Sequence, residues 1–213
     1  MDNSTIINVV NNVHKMLENR GFDITKVNRN PPTAHMNNLI KLFRDKKNTL
    51  DIMIENTNRD KVDFGKKAYV HFIYNMRNEK SNKEFEDLYD VVTKAHNMME
   101  RDHIIIVVFS ELTEKHRSLE SEFSNLTLFS YKNLMFNLVD HQFVPQHESL
   151  TAAEKIKLLS DFMIKDYNKL PLISKYDPVC RYYNFKIGDV LRITRPSDAN
   201  MTHVTYRHVQ FLD

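Results

Sequence analysis

Residues 103–109 read HIIIVVF, five consecutive aliphatic side chains closed by a phenylalanine. A strand with one wet face alternates apolar and polar residues, so a run apolar at every position predicts a strand covered on both faces. Two more strands lie upstream. They are KAYVHFIY (67–74) and TLDIMIE (49–55), in which Leu50, Ile52 and Ile54 alternate with Asp51, Met53 and Glu55. Before the buried run, Phe85, Leu88, Val91, Val92, Ala95, Met98 and Met99 recur at helical spacing. Strand, helix, strand in that order predicts a sheet flanked by helices.

Working outward, Ile6, Val9, Val10, Val13, Met16 and Leu17 predict an amphipathic helix over 4–20 with Gly21 as its cap. NRNPPTAH (28–35) reads as a loop and Met36 to Phe43 as a short helix. After the buried strand, a helix near Glu114 to Phe123 and a strand LTLF continue the α/β alternation to about residue 140. Pro145 in DHQFVPQHESL interrupts it, which predicts two domains, 1–141 and 142–213. The second opens with a capping box, Thr151 and Glu154, on a helix expected to turn Ile156, Leu159, Phe162 and Met163 inward.

From Pro171 onward the pattern is a small α+β piece. Asp177 followed by Pro178 starts a short helix, PVCRYY, because the carboxylate accepts from exposed amides and proline lacks the N–H that would go unused. Gly188 permits a turn. VLRIT then sends Leu191 and Ile193 inward with Arg192 and Thr194 outward, and HVTYRHV is expected to repeat the scheme with Val204 and Tyr206 inward. Six Lys or Arg (175, 181, 186, 192, 195, 207) against three Asp (177, 189, 198) leave this stretch at +3. Such a surface suits phosphate or an acidic protein groove.

Composition removes several function classes. No apolar run approaches the roughly 20 residues of a membrane helix, and the start MDNSTIINVV lacks a basic n-region, so the expectation is a soluble intracellular chain. The single cysteine, Cys180, supports neither an internal disulfide nor a multi-cysteine metal site. Three glycines (Gly21, Gly65, Gly188) are too few and too scattered for a phosphate-cradling loop. A net charge of +2 confines any affinity for nucleic acid to a local patch. His147 and Glu148 lack the second histidine of a His-Glu-x-x-His motif. His203 and His208, an odd number apart on one strand, face opposite sides. No catalytic group, metal or cofactor is expected.

The stretch LPLISKYDPVCRYYNFKIGDVLRITRPSDANMTHVTYRHV (170–209) resembles the C-terminal signature of the fifth shared subunit of eukaryotic RNA polymerases, a family with archaeal counterparts. ENRGF, HIIIVVF and HQFVPQHESLTAAEK extend the likeness upstream more weakly. Archaeal members consist of the C-terminal domain alone, so the upstream likeness implies a eukaryotic or viral version. The resemblance implies a non-catalytic polymerase subunit with two parts. An α/β N-terminal jaw domain, similar in fold to restriction endonucleases, would lie beside downstream duplex DNA. A small α+β assembly domain would dock on the largest subunit, in a hetero-assembly and not a homo-oligomer. The motif positions Asp177, Pro178, Arg181, Tyr182, Arg195, Pro196, Ser197 and Tyr206 would then maintain the module or its interface. Internal packing with exposed tips is the alternative for Arg181, Tyr182 and Tyr206. Cys180 stands where the family has alanine, and SDANM lacks the family's glycine.

Lys115, His116 and Arg117 follow the buried strand, where the family approaches DNA; a solvated helix start is the alternative. A contact there would be to backbone phosphate, since a sliding jaw cannot read bases. A nuclease is the enzymatic rival. Asp51 offers its first carboxylate, but no Glu-x-Lys follows on the next strand, so magnesium lacks ligands. A free-standing module for nucleic acid or an acidic protein is the other. The location implied is the nucleus for a cellular protein, and the virion or host cytoplasm for a viral one.

Overall fold

The computed structural model describes residues 2–26, 33–44, 50–55, 67–74, 82–99, 102–196 and 202–212. Its contacts divide the chain into two units, Met1–Phe136 and Asn137–Asp213.

In the first unit, β1 (Ile52–Glu55), β2 (Lys67–Ile73), β3 (His103–Val108) and β4 (Leu126–Ser130) form one sheet in the order β1-β2-β3-β4. β1 is antiparallel to β2, while β2, β3 and β4 are parallel. Parallel neighbours require crossovers. They are α3 (Asn82–Met99) between β2 and β3, and α4 (Glu114–Glu122) between β3 and β4. All six residues of β3 are buried. Ile104, Ile106 and Val108 pack with Leu88, Val92 and Ala95 of α3, Leu119 of α4, and Phe123. On the other face His103 meets Phe22 edge-on at 6.1 Å and Phe109 meets Phe43 at 5.6 Å, so the segments of α1 (Asn3–Asn19) and α2 (Thr33–Arg44) cover that side.

The end of α1 shows how the sequence stops a helix. Gly21, at φ 91°, donates to Glu18 O (2.8 Å) and Phe22 donates to Leu17 O (3.0 Å). That is the Schellman pattern, which glycine enters without a Cβ penalty. α2 begins at Thr33, so residues 33–35 belong to a helix and not to the expected loop. Proline restricts the residues before it and leaves those after it free to be helical.

In the second unit, β5 (Gln146–Ser149), β7 (Val190–Pro196), β8 (Thr202–Gln210) and β6 (Leu172–Ser174) form a sheet in the order β5-β7-β8-β6. α5 (Ala152–Asp161) and α6 (Pro178–Tyr183) contribute to separate small cores. Ile173, Cys180, Phe185, Leu191, Ile193 and Val209 pack on the α6 side. Leu150, Leu158, Leu170 and Val190, with Tyr167 and Tyr206, pack on the α5 side.

Two expectations fail in this unit. Val204 and Tyr206 do not join Leu191 and Ile193. The register pairs Leu191 with Arg207, Arg192 with Tyr206 and Thr194 with Val204, so Tyr206 faces α5 and Val204 is exposed. Directly paired residues share a face, and a one-residue difference in register exchanges the faces. Nor does α5 turn Ile156, Phe162 and Met163 inward. They are 69%, 55% and 92% exposed, Leu159 is only half-buried, and Leu158 is the helix's buried residue. Polar anchors fix this roll. Glu154 binds Arg192 (3.2 Å), and Lys155 lies 3.5 Å from Asp189, on the stripe that also carries Leu158.

Candidate partner-docking site

α6 is assembled by local chemistry. Asp177 Oδ1 accepts from the Val179 N–H at 2.8 Å, Pro178 occupies the first helical position, and Asn184 closes the far end at φ 59°. The helix turns Val179, Cys180 and Tyr182 into the core. Cys180 is fully buried, and burial, with Asp177 and Asp189 adding to it, pushes its thiol up to about 12. It is no nucleophile at neutral pH.

The structure distributes the motif residues over two faces of the sheet. Asp177 is half-buried and Pro178 exposed at the start of α6, Arg181 is half-buried, and Tyr182 is buried against Tyr183 at 5.2 Å. Arg195 and Pro196 are exposed at the far end of β7, where Arg195 pairs across the ladder with His203 on the α6 side. Tyr206 lies on the opposite side, edge-on to Phe162 at 5.6 Å. Ser197 and the SDANM turn lie outside the described residues.

His147 joins this neighbourhood although its spacing raised only a failed metal motif. It pairs with Ile193 in the β5–β7 ladder and so shares the α6-side face with Arg195. Its Nδ1 donates to Pro145 O at 2.7 Å. Burial pushes the imidazole below its usual range; the Pro145 bond and Asp177 pull it back, and Arg195 and Arg207 push it further down. Strand alternation from Leu191 and Ile193 would have found this face only once the β5 register was known. On the α5 side charge is internally matched, with Arg192 held by Glu148 (2.7 Å) and Glu154 (3.2 Å).

In the first unit, Lys115 and Arg117 are exposed at the start of α4, but His116 is not. Thr113 N–H donates to His116 Nδ1 (3.2 Å), His116 N–H donates to Thr113 Oγ1 (3.4 Å), and the ring stacks on Phe85 at 6.3 Å. Burial pushes this imidazole down. Thr-x-x-His thus performs as a capping box whose usual fourth residue is Glu or Gln, which is why the sequence did not signal it.

Both oxygens of Asp51 are engaged. Its Oδ2 accepts from Tyr69 Oη (2.8 Å) and lies 2.8 Å from His71 Nδ1, while Oδ1 accepts from the Phe72 N–H (3.3 Å). Burial, reinforced by Asp51, pushes the Tyr69 hydroxyl above its usual range. Three of the carboxylate's roughly four lone-pair sites are thus taken by protein donors.

The match to a known family model extends over much the same residues as the second unit. Residues 136–209 match the family model of the RNA polymerase Rpb5, C-terminal domain. The chain is 39% identical over 108 residues to the DNA-directed RNA polymerases I, II, and III subunit rpabc1 of Dictyostelium discoideum, covering 48% of this chain and 54% of that one. It is 42% identical over 81 residues to subunit RPABC1 of Caenorhabditis elegans (38% of each chain), and 34% over 119 residues to the DNA-directed RNA polymerases IV and V subunit 5B of Arabidopsis thaliana (54% of each). The chain therefore spans about half the length, or less, of the curated relatives it matches. The likeness to the RNA polymerase Rpb5, C-terminal domain is therefore carried by residues 136–209, and the relatives that share it are named as subunits of DNA-directed RNA polymerases.

Proposed function

We propose that this chain is a non-catalytic subunit of a multisubunit DNA-directed RNA polymerase, docked on the largest subunit through its second unit, with the first forming part of the jaw at downstream DNA. The observation that carries this is the family match over 136–209, in which the Asp-Pro helix start and the Arg-Pro strand end occupy built positions of one small module. Tyr and Arg are over-represented at interface anchors, and Arg195 is the exposed representative here. Affinity purification of the tagged chain tests it: the two large catalytic chains should accompany it in near-equal amount. A chain recovered alone, or with a partner outside transcription, refutes the assignment.

The jaw assignment rests on the resemblance and on two exposed cations. With the His116 ring turned inward, Lys115 and Arg117 are left to meet phosphate. Reversing both charges should weaken polymerase binding to downstream duplex and flatten its salt dependence by about one to two counterions' worth of slope. An unchanged slope removes this site. A restriction-endonuclease-like fold without its chemistry suits the occupied Asp51, and duplex DNA should stay intact under magnesium. In a cell the subunit would work in the nucleus; a viral version would work in the virion or host cytoplasm.

A further inference from the structure

The edges of the two sheets are finished differently. In β4 the outward amides of Leu126, Leu128 and Ser130 donate to Phe123 O (3.0 Å), Glu120 Oε1 (2.6 Å) and Asn133 Oδ1 (3.2 Å). In β6 the outward carbonyls of Leu172 and Ser174 accept from Arg207 Nη1 (3.1 Å) and the Asp177 N–H (3.0 Å). Taking up part of the outward main-chain groups in this way blunts both edges against a further strand. β5 is the other edge of the second sheet. Leu150 N–H donates to Val190 O at 2.9 Å, and the ladder pairs Glu148 with Arg192 and Gln146 with Thr194. In an antiparallel ladder bonded pairs alternate with unbonded ones, so the amides and carbonyls of His147 and Ser149 point away from β7. Among the described residues nothing meets these four groups.

The geometry points to β5 as a strand-addition site that takes an extended, acidic segment of a large polymerase chain; this rests on the function proposed above. An added strand would gain up to four main-chain hydrogen bonds from His147 and Ser149. Side chains choose its character. On the α5 side Glu148 is already matched by Arg192, so that parity asks for no charge. On the α6 side Arg195 is exposed beyond the start of β5, has no carboxylate at ion-pair distance among the described residues, and acts on His147 together with Arg207. A carboxylate at that parity completes the surface.

Proline separates edge from interior, because Ser149's amide serves no bond within the sheet and its side chain is exposed. The experiment purifies tagged full-length chains from cells containing the polymerase. With Ser149→Pro the co-purified large chains should fall at least tenfold, while Ser149→Ala, which keeps the amide, leaves them unchanged. Normal recovery with folded Ser149→Pro overturns the strand addition. Should Ser149→Pro not fold, amide exchange on the wild-type chain decides: the His147 and Ser149 amides should be protected at least tenfold in the polymerase over the isolated chain, and equal exchange overturns the inference. Concentration-dependent dimers of the isolated chain that are lost in Ser149→Pro would name a second copy as occupant and also overturn it. If wild-type chain brings down no polymerase, the functional assignment itself has failed, a result distinct from these.

Discussion

Leu158 and Ile156 put the roll of α5 to a quantitative test. Leu158 is 4% exposed among Leu150, Leu170 and Val190, whereas Ile156 is 69% exposed. Truncating a buried leucine costs roughly 2–5 kcal/mol, and this cluster is small and near the surface, which favours about 2–3. Truncating the exposed isoleucine removes almost no burial and improves helix propensity by a few tenths, so its effect should lie within about 0.5 kcal/mol. Two units in one chain forbid a single melting midpoint as the readout. Hydrogen exchange of the β7 amides Val190 and Leu191 reports the second unit alone. At about 1.4 kcal/mol per tenfold, Leu158→Ala should accelerate their exchange roughly 30- to 150-fold, and Ile156→Ala less than about threefold. Comparable acceleration in both variants would mean the helix presents the stripe of Ile156 and Met163 to the sheet, and the polar anchors Glu154 and Lys155 would not set its roll.

Acid should act on the second unit in two stages. His208 and His147 are held below their ordinary value of 6.5, chiefly by burial, so the folded state binds their protons less readily than the unfolded chain. Their contribution is therefore complete above about pH 6.5 and is lost as pH falls toward the folded-state values. Glu154 and Asp166 are held below the usual carboxylate range, first by the Thr151 and Asn168 amides, and their contribution is lost only on further acidification below about 4.5. Exchange of the Val190 and Leu191 amides, corrected for its intrinsic pH dependence, should show both stages across this range, and stability unchanged from pH 7 to 5.5 would contradict the histidine placement. Cys180 should resist iodoacetamide at neutral pH until urea unfolds its unit; rapid labelling of folded protein would contradict its burial. Asp51→Ala leaves Tyr69, His71 and the Phe72 amide without their acceptor and should cost roughly 2–4 kcal/mol in the first unit, read by β2 and β3 amide exchange. A loss under about 0.5 would show that the cluster does not hold β1 to β2.

Much of this molecule is written locally. The all-apolar run at 103–109, the helical recurrence from Phe85 to Ala95, Gly21 after α1, Thr151 with Glu154, and Asp177 with Pro178 each act over a few residues, through periodicity or capping, and the structure contains each as read. The likeness over 170–209 was legible for the same reason, being an ordered set of local choices. Register and helix roll were not legible. Whether Tyr206 shares a face with Leu191 or with Arg192 depends on how β8 slides against β7, and the alternating pattern of HVTYRHV satisfies both. Ile156 and Leu158 both lie on plausible apolar stripes, and the choice between them falls to ion pairs with Arg192 and Asp189, more than 30 residues away. His116 looked basic and exposed until Phe85 and Thr113 closed around it. Hydrophobic order along the chain determined which segments would be helix or strand, because that depends on neighbours in sequence. Which side chains reach solvent, and which sheet edge stays open, was decided by partners brought together only on folding.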